Sequence, residues 1–288
     1  MYKRQGYTSV QVSPVQPSKD DSIKTNSKWW ILYQPVAFEV GNAQLGTEEE
    51  FKAMCDEADK YGIKIIVDVV ANHTGNNGGD GNKTIAPNVV FQGDGYEDYW
   101  HNPLHGVKDW NDRYEVTHGG IGLPDLNTSN KDLQNMVRTY LEKCLKDGAD
   151  GFRFDAAKHI ELPTDDDKTK SDFWPTILNG LKTTDGTDPY IYGEVLQGGA
   201  DNYDKYTDIM HVTTSNYGNN IRNAVGFGAS ANVSNAIDYD VPEGVDPSRL
   251  VTWVESHDTY ANDSAESTGM TSCLLYTSPS PRDRQKSR

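Results

Sequence analysis

Apolar and polar residues recur with two different periods along this chain, and the changes of period predict its elements. Helical spacing begins after Thr47, where Thr47 and Glu50 are placed to form a capping box, and it continues to Tyr61. The next segment, 63–70, is rich in β-branched residues and is typical of a buried parallel strand. A helix followed by such a strand predicts one β/α repeat.

The same order resumes further along the chain. Helical spacing over 133–145 is followed by Gly-Phe-Arg-Phe-Asp at 151–155, which we predict to be a strand. Cys55 and Cys144 lie on the apolar faces of the two helices, so we interpret them as core residues. Strands that alternate with helices predict an α/β fold with a parallel sheet, open or closed. Further strands are predicted at 6–13, 190–194, 209–213 and 250–256.

Periodicity is lost between residues 74 and 124, a segment rich in Gly, Asn and Asp. A plain loop of this length is improbable inside a compact domain. We therefore predict a small inserted subdomain at 74–124, between a first part of the main domain at 6–73 and a second part at 125–272.

Composition restricts the classes of function. The chain has 288 residues, a formal net charge of −16 and three cysteines. The negative charge argues against a nucleic-acid partner, no apolar run is long enough to cross a membrane, and three cysteines do not make a disulfide scaffold. The 16 Tyr and 6 Trp residues suit an uncharged polar ligand.

The two ends differ from the rest of the chain. Residues 273–288 are basic and contain two prolines. Residues 1–5 can be encoded by a nucleotide sequence whose reverse complement, read in a frame shifted by one base, encodes residues 273–277. We therefore expect residues 1–5 and 273–288 to be non-native additions to a clipped segment, which have to be left out of fold reasoning.

Three carboxylates stand at the C-terminal ends of predicted strands: Asp155, Glu194 and Asp258. In an α/β barrel this end carries the active site. Arg153 faces the same way as Asp155 on a strand, so we expect it to lower the pKa of Asp155 and keep this nucleophile ionised. Glu194 has no cation beside it in the sequence, and we expect a drier environment in which it remains a general acid. Glycoside hydrolysis requires such a pair of carboxyl groups.

Five segments around these residues resemble the conserved motifs of the α-amylase family of glycoside hydrolases. They are Asp-Val-Val-Ala-Asn-His at 68–73, Leu-Pro-Asp-Leu-Asn at 123–127, Gly-Phe-Arg-Phe-Asp-Ala-Ala-Lys-His at 151–159, Gly-Glu-Val at 193–195 and Val-Glu-Ser-His-Asp at 254–258. They follow the order of the family, and the wider segments 148–162 and 253–260 most resemble secreted bacterial α-amylases.

The resemblance runs from residue 6 to about residue 272 and implies a fold. That fold is a (β/α)₈ TIM barrel, of which this chain supplies about strands 2–7, with the small inserted subdomain after strand 3. An incomplete barrel exposes strand edges. We therefore expect the isolated chain to be poorly stable or inactive.

The resemblance also implies site residues. Asp155 matches the nucleophile, Glu194 the acid/base, and Asp258 the carboxylate that stabilises the charged transition state. The residues that match sugar-binding positions are Tyr33, Gln34, His73, Arg153, Lys158, His159 and His257.

A structural calcium site is implied by the same resemblance. Its matched ligands are Asn72, Asp125 and the backbone carbonyl of His159, and oxygen ligands suit this hard cation. Asp68 is interpreted as a residue that supports the site through hydrogen bonds. For Trp100 and Trp110 two roles are equally compatible with the sequence: stacking on outer glucose units, or packing of the insert.

The activity implied by the resemblance is retaining endo-hydrolysis of α-1,4-glucosidic bonds in starch and related glucans, by an extracellular monomer. One alternative is another member of the family, an α-glucosidase or a transglycosylase, because these enzymes share the motifs. The other is a non-catalytic α-glucan-binding protein, against which the intact set of three carboxylates argues.

Overall fold

The structure is a computed structural model that describes residues 6–19, 29–77, 85–91, 95–225, 241–254 and 256–258, together with residues 232, 234 and 236. The ends predicted to be non-native, 1–5 and 273–288, lie outside the described residues. The chain divides into two compact units, Met1–His211 and Val212–Arg288.

Strands alternate with helices, as predicted. In chain order the first unit has β1 (Ser9–Val12), α1 (Glu48–Lys60), β2 (Lys64–Val70), β3 (Gly75–Asn76), β4 (Pro87–Asn88), α2 (Arg113–His118), α3 (Lys131–Lys146), β5 (Gly151–Asp155), α4 (Phe173–Leu178), β6 (Tyr190–Gly193) and α5 (Tyr203–Thr207). Strand β7 (His211–Thr214) begins at the boundary between the units, and α6 (Ser215–Ala224) and β8 (Leu250–Thr252) belong to the second unit.

The sheet of the first unit is parallel. Strand β2 lies between β1 and β5, and β5 also pairs with β6. The register places Val70 beside Asp155, and Phe154 beside Gly193. The C-terminal ends of three neighbouring strands therefore meet at one edge of the sheet.

The second unit contains one parallel pair, in which Val212 of β7 lies opposite Leu250 of β8. The predicted α/β class with parallel strands is confirmed. The strand predicted at 250–256 is shorter than expected, because β8 ends at Thr252.

Local signals in the sequence explain where the helices begin. Helix α1 starts at the predicted capping box, in which the Glu50 amide donates to Thr47 Oγ1 (3.3 Å) and the Thr47 amide donates to Glu50 Oε2 (2.8 Å). Asn130 caps α3 in a similar way, with its side-chain oxygen accepting from the amides of Asp132 and Leu133. Such caps satisfy amides that the helix itself leaves unpaired.

The core lies between these helices and the sheet. Every residue of β5 is buried, as are those of β2 after Lys64. The two cysteines, Cys55 of α1 and Cys144 of α3, are buried, and the prediction that they are core residues is confirmed. The largest fully buried side chains of this core are Trp174, Tyr140, Tyr206, Phe152, Phe154 and Phe173.

The segment predicted as an insert contains the antiparallel pair β3–β4 and helix α2. Trp100 is buried there, with its ring stacked on Phe91 (6.0 Å between centroids) and its Nε1 donating to Thr74 Oγ1 (3.1 Å). Trp100 is therefore a packing residue, whereas half of the Trp110 surface is exposed (50%). Among the described residues, no helix is both long and apolar enough to cross a membrane.

Candidate active site

A single guanidinium joins three carboxyl groups at the C-terminal edge of the sheet. Arg153 Nη1 donates to both oxygens of Asp68 (2.9 and 3.0 Å) and to Oδ1 of Asp155 (2.8 Å). Arg153 Nη2 lies 3.1 Å from Oε1 of Glu194. The carboxylates come from β2, from β5 and from the residue after β6, so the parallel register brings them together.

The pKa of Asp155 is shifted in the direction opposite to the prediction. Burial raises the pKa of Asp155 well above its ordinary value, and the charges of Glu194 and Asp68 act in the same direction, while Arg153 opposes them. Arg153 does lower this pKa, as predicted, but burial and the charges of Glu194 and Asp68 outweigh it. The expectation of a low pKa for Asp155 is therefore wrong.

The surroundings of Glu194 also differ from the prediction. It has a cation beside it, Arg153, which is remote in sequence and is brought there by the pairing of β5 with β6. Its side chain is 18% exposed, compared with 12% for Asp155, so Asp155 is in the drier position. The second oxygen of Glu194, Oε2, accepts from the amide of Ala156 (3.0 Å).

Ala156 presents this amide from a strained backbone. Its φ is +48°, in the left-handed region that residues with a Cβ rarely adopt. The turn places the Ala156 amide against Glu194 directly after β5 ends, and the Lys158 amide donates to the Glu194 carbonyl (3.2 Å). The backbone thus fixes the direction of the Glu194 carboxyl group.

Asp68 is fully buried and is saturated with hydrogen bonds. Besides Arg153, it accepts from the Tyr33 hydroxyl (2.8 Å) and from Gln11 Nε2 (3.2 Å). Burial and the neighbouring charge of Asp68 raise the pKa of Tyr33, so this phenol stays protonated as a donor. These contacts agree with the interpretation of Asp68 as a supporting residue. Gln11 was not predicted.

His73 lies next to the nucleophile candidate. Its Nε2 is 4.0 Å from Asp155 Oδ2 and donates to the backbone carbonyl of Tyr33 (3.0 Å). Burial lowers the pKa of His73 to about 4, so the ring is neutral at neutral pH. Gln34 is buried beside Tyr33, and its side-chain oxygen accepts from the Asn76 amide (3.4 Å).

Lys158 and His159 form a second cluster around Trp110. The Lys158 ammonium lies 5.8 Å from the centroid of the Trp110 ring and donates to the Gly198 carbonyl (2.8 Å). Burial lowers the pKa of Lys158, and it lowers the pKa of His159 to about 4. The exposed Trp110 ring meets His159 edge-on (5.7 Å between centroids). This cluster offers an aromatic face and a cation to a ligand.

Asp258 and His257 belong to the second unit. There, His257 Nε2 lies 3.4 Å from Asp258 Oδ2, and both side chains are partly exposed. The roles predicted for these two residues stay predictions.

The predicted calcium ligands are partly brought together. The Asn72 carbonyl accepts from the Leu126 amide (2.8 Å), next to a backbone bridge between His73 and Asp125. Asp125 is buried and its Oδ1 has no hydrogen-bond partner within the described part of the chain. A buried, unpaired carboxylate oxygen is costly without a cation or donor, so the position fits a hard cation.

The ligand predicted for His159 is its backbone carbonyl; the ring is held separately, with Nδ1 donating to the Val116 carbonyl (2.7 Å). A further group was not predicted at all: His101, His118 and Glu161 converge within 4.8 Å of one another. His101 Nδ1 also bonds Asp125 Oδ2 (2.7 Å).

Comparison with known proteins decides the family. Residues 2–224 match the model of the α-amylase catalytic domain. The chain belongs to the α-amylase family. It is 42% identical over 265 residues to an α-amylase of Clostridium acetobutylicum, with 91% of this chain and 33% of the relative covered. An α-amylase of Butyrivibrio fibrisolvens is 38% identical over 287 residues, with 90% and 29% covered.

The solved structures agree with this family. A mutant of α-amylase I from Eisenia fetida in complex with maltohexaose superposes with a TM-score of 0.71 and 26% identity, covering 88% of this chain and 53% of that one. The predictions of the α-amylase family and of a partial barrel fold are therefore confirmed. The chain spans about a third of the length of the two bacterial relatives.

Proposed function

We propose that this α-amylase family chain carries the catalytic carboxylates of a retaining glycoside hydrolase that cleaves internal α-1,4-glucosidic bonds in starch and related glucans. The observation that carries the proposal is the Arg153 guanidinium, which holds Asp155 at 2.8 Å and Glu194 at 3.1 Å on neighbouring strands. Retaining glycosidases need two carboxyl groups about 5–5.5 Å apart. Two groups on one guanidinium are compatible with that spacing.

The first step transfers the sugar to the enzyme. Glu194 donates its proton to the glycosidic oxygen, and Asp155 forms a bond to the anomeric carbon as the bond to the leaving group breaks. In the second step Glu194 removes a proton from water, the water oxygen bonds to the anomeric carbon, and Asp155 leaves as a carboxylate. Asp258 is proposed to stabilise the positive charge that develops on the sugar.

The raised pKa of Asp155 supports a pair that shares one proton. Asp155 and Glu194 contact the same guanidinium, so they titrate together. The chemistry needs one neutral and one ionised carboxyl group. We propose that substrate binding leaves the proton on Glu194 and Asp155 ionised, because only this distribution allows the first step.

The neighbouring side chains are proposed to bind the sugar. His73, beside Asp155, is proposed to contact the sugar at the cleavage point, and Tyr33 to contribute a ring against the apolar face of the sugar. Gln34 and His257 are assigned to the same sugar. Lys158 and His159, with Trp110, are assigned to the leaving-group side.

We further propose that Asn72, Asp125 and the His159 carbonyl hold a structural calcium ion. When bound, the ion would neutralise the unpaired Oδ1 of Asp125 and supply no chemistry to the reaction. We also infer that the enzyme acts as an extracellular monomer.

The decisive test identifies the nucleophile. The chain is incubated with 5-fluoro-α-glucosyl fluoride, and the labelled peptide is located by mass spectrometry. We expect a single label on Asp155, none in Asp155→Asn, and an unchanged label in Glu142→Gln, which alters an exposed carboxylate. A label on another residue would refute the assignment.

Product analysis separates the alternatives. On soluble starch we expect mixed maltooligosaccharides that are released as α-anomers. Glucose alone would indicate an α-glucosidase, and cyclic or elongated products a transglycosylase. Binding of maltohexaose without any labelling or turnover would favour a non-catalytic glucan-binding protein.

A further inference from the structure

Three side chains outside the reacting cluster bring their ligand atoms close together. His101 and His118 come from the segment before Asp125, and Glu161 follows the 3₁₀ helix Ala157–His159. One ligand atom of each lies within 4.8 Å of the others. His101 Nε2 is 3.2 Å from Glu161 Oε1, and the two histidine rings stack with their centroids 4.1 Å apart.

We propose that His101, His118 and Glu161 bind one zinc-type divalent cation, at a site separate from the calcium position. Two imidazoles and one carboxylate are a known zinc ligand set. Calcium, in contrast, takes six to eight oxygen ligands. The fourth position of a tetrahedral site would be left to water.

The surroundings of the three residues are those of metal ligands. His101 Nδ1 is bonded to Asp125 Oδ2 (2.7 Å) and His118 Nδ1 to Thr117 Oγ1 (2.9 Å). With each Nδ1 occupied, Nε2 of both rings is the nitrogen left for a metal. A carboxylate behind a histidine is the usual outer shell of a zinc ligand, since it fixes the ring and makes it more basic.

Glu161 is oriented in the same way. It is buried, and its Oε2 accepts a hydrogen bond from the Thr128 hydroxyl. This contact leaves Oε1, the oxygen that faces His101, for the cation. All three ligands are therefore held by a second hydrogen bond, as a preorganised site requires.

The competing explanation is a purely structural one, in which protonated His101 bridges Asp125 and Glu161. Burial opposes the charge of His101, but hydrogen bonds to the two carboxylates raise its pKa to about 9. Burial lowers the pKa of His118 to about 4. The bridge between Asp125 and Glu161 involves His101 alone, whereas the zinc proposal also uses His118.

The experiment measures zinc binding directly. The chain is stripped with a chelator, dialysed into saturating calcium and titrated with zinc chloride by calorimetry, and cobalt is used as a spectroscopic probe of tetrahedral nitrogen ligands. We expect one zinc per chain. In His118→Gln the affinity should fall by at least about 100-fold, the upper end of the loss seen even for outer-shell partners.

Two further variants keep the test decisive. Thr117→Val removes the partner of His118 Nδ1 and should weaken zinc binding by about 10-fold, even if His118→Gln folds poorly. The matched control is His105→Gln, a histidine of the same segment that contacts Glu115 rather than this cluster. It should bind zinc like the unaltered chain.

Several results would overturn the proposal. They are the absence of zinc binding in saturating calcium, equal zinc affinity in the unaltered chain and in both His118→Gln and Thr117→Val, and displacement of zinc by calcium. The site uses none of the residues assigned to hydrolysis. Zinc binding can therefore fail while the proposed activity stands.

Discussion

Replacing Arg153 by methionine removes the guanidinium that faces Asp68, Asp155 and Glu194. The Arg153 side chain is 5% exposed and Asp68 is fully buried, so solvent cannot take over its role. Methionine has a similar volume and removes the cation, while the hydrogen bonds from Tyr33 and Gln11 to Asp68 and from the Ala156 amide to Glu194 remain. We expect Arg153→Met to unfold more easily and to lose the proposed activity.

The magnitude follows from burial. Removing one partner of a buried ion pair costs about 3–5 kcal/mol, because the remaining charge stays buried. The hydrogen bonds from Arg153 to its three partners are not additive with this cost, since they belong to one coupled network. We therefore expect a loss of about 3–5 kcal/mol near pH 7 and not the sum of the separate contacts.

The loss should depend on pH, and its sign can be worked out. Without Arg153 the folded-state pKa values of the carboxyl groups rise, so the folded variant binds more protons than the unfolded one. The protonated groups are tolerated at acidic pH, and stability is lost as pH rises through the raised folded pKa values. Each additional proton retained steepens the decline by about 1.4 kcal/mol per pH unit. The difference from the unaltered chain should thus be smaller at pH 5 than at pH 8.

The assay is urea unfolding, followed by circular dichroism and tryptophan fluorescence at pH 5, 6, 7 and 8. Arg153→Lys keeps a charge but not the planar fork, and we expect its free energy of unfolding to lie between those of the unaltered chain and Arg153→Met. Lys60→Met removes an exposed ion pair with Glu57 and serves as the control. A loss below about 1 kcal/mol at pH 8, or one that does not change with pH, would refute the view that Arg153 neutralises this cluster.

Three other predictions concern the core, the calcium position and pH. Phe154→Ala should cost about 3–5 kcal/mol in urea unfolding, because the ring is fully buried and packs edge-on against Trp174 at 5.1 Å; a loss like that of the exposed Val90→Ala would contradict this packing. Calcium at 100 times its Kd should stabilise the chain by about 2.7 kcal/mol, and Asp125→Asn should abolish the calcium-dependent rise in melting temperature, whereas an undiminished rise would exclude Asp125 as a ligand. The pKa of His73 is lowered to about 4 in the folded chain, so the unfolded chain binds the proton first, and about 3 kcal/mol of stability should disappear as the pH falls from 6.5 to 4. In His73→Gln stability should depend less on pH over this range, and an unchanged dependence would assign the effect to other groups.

The elements were predictable where the signals are local. Thr47 and Glu50 are three residues apart, and the hydrogen bonds that they make lie within that span. The strand at 151–155 was found with its predicted ends, because it lies between a helix and a turn and has no competing pattern. The prediction of a partial barrel depended on the family resemblance, since the alternation of strands and helices alone is compatible with an open or a closed sheet.

The candidate site was predictable in its residues but not in its electrostatics. The pairing of Arg153 with Asp155 follows from a spacing of two within a strand. The contact between Arg153 and Glu194 depends on β5 lying next to β6, which no local pattern indicates. The pKa of Asp155 depends on the number of carboxyl groups that share one cation, and this number is a property of the assembled sheet edge.

The His101, His118 and Glu161 cluster lay beyond sequence reasoning for a related cause. His118 ends helix α2, whereas His101 and Glu161 lie outside the helices and strands, and the three lack the short, regular spacing of a metal motif. Only the folded chain shows that His101 contacts Asp125 and Glu161 at the same time.

Asp125 connects the calcium position, the His101 cluster and the reacting carboxyl groups. Its Oδ2 accepts from His101, its Oδ1 is unpaired within the described residues, and its backbone bridges to His73, which lies 4.0 Å from Asp155. A calcium ion on Oδ1 and a zinc ion behind His101 would both hold the same short stretch of backbone. Their effect on hydrolysis would then pass through the position of His73, because neither cation contacts the reacting carboxyl groups. Metal removal should therefore weaken substrate binding at His73 and leave the identity of the labelled nucleophile unchanged.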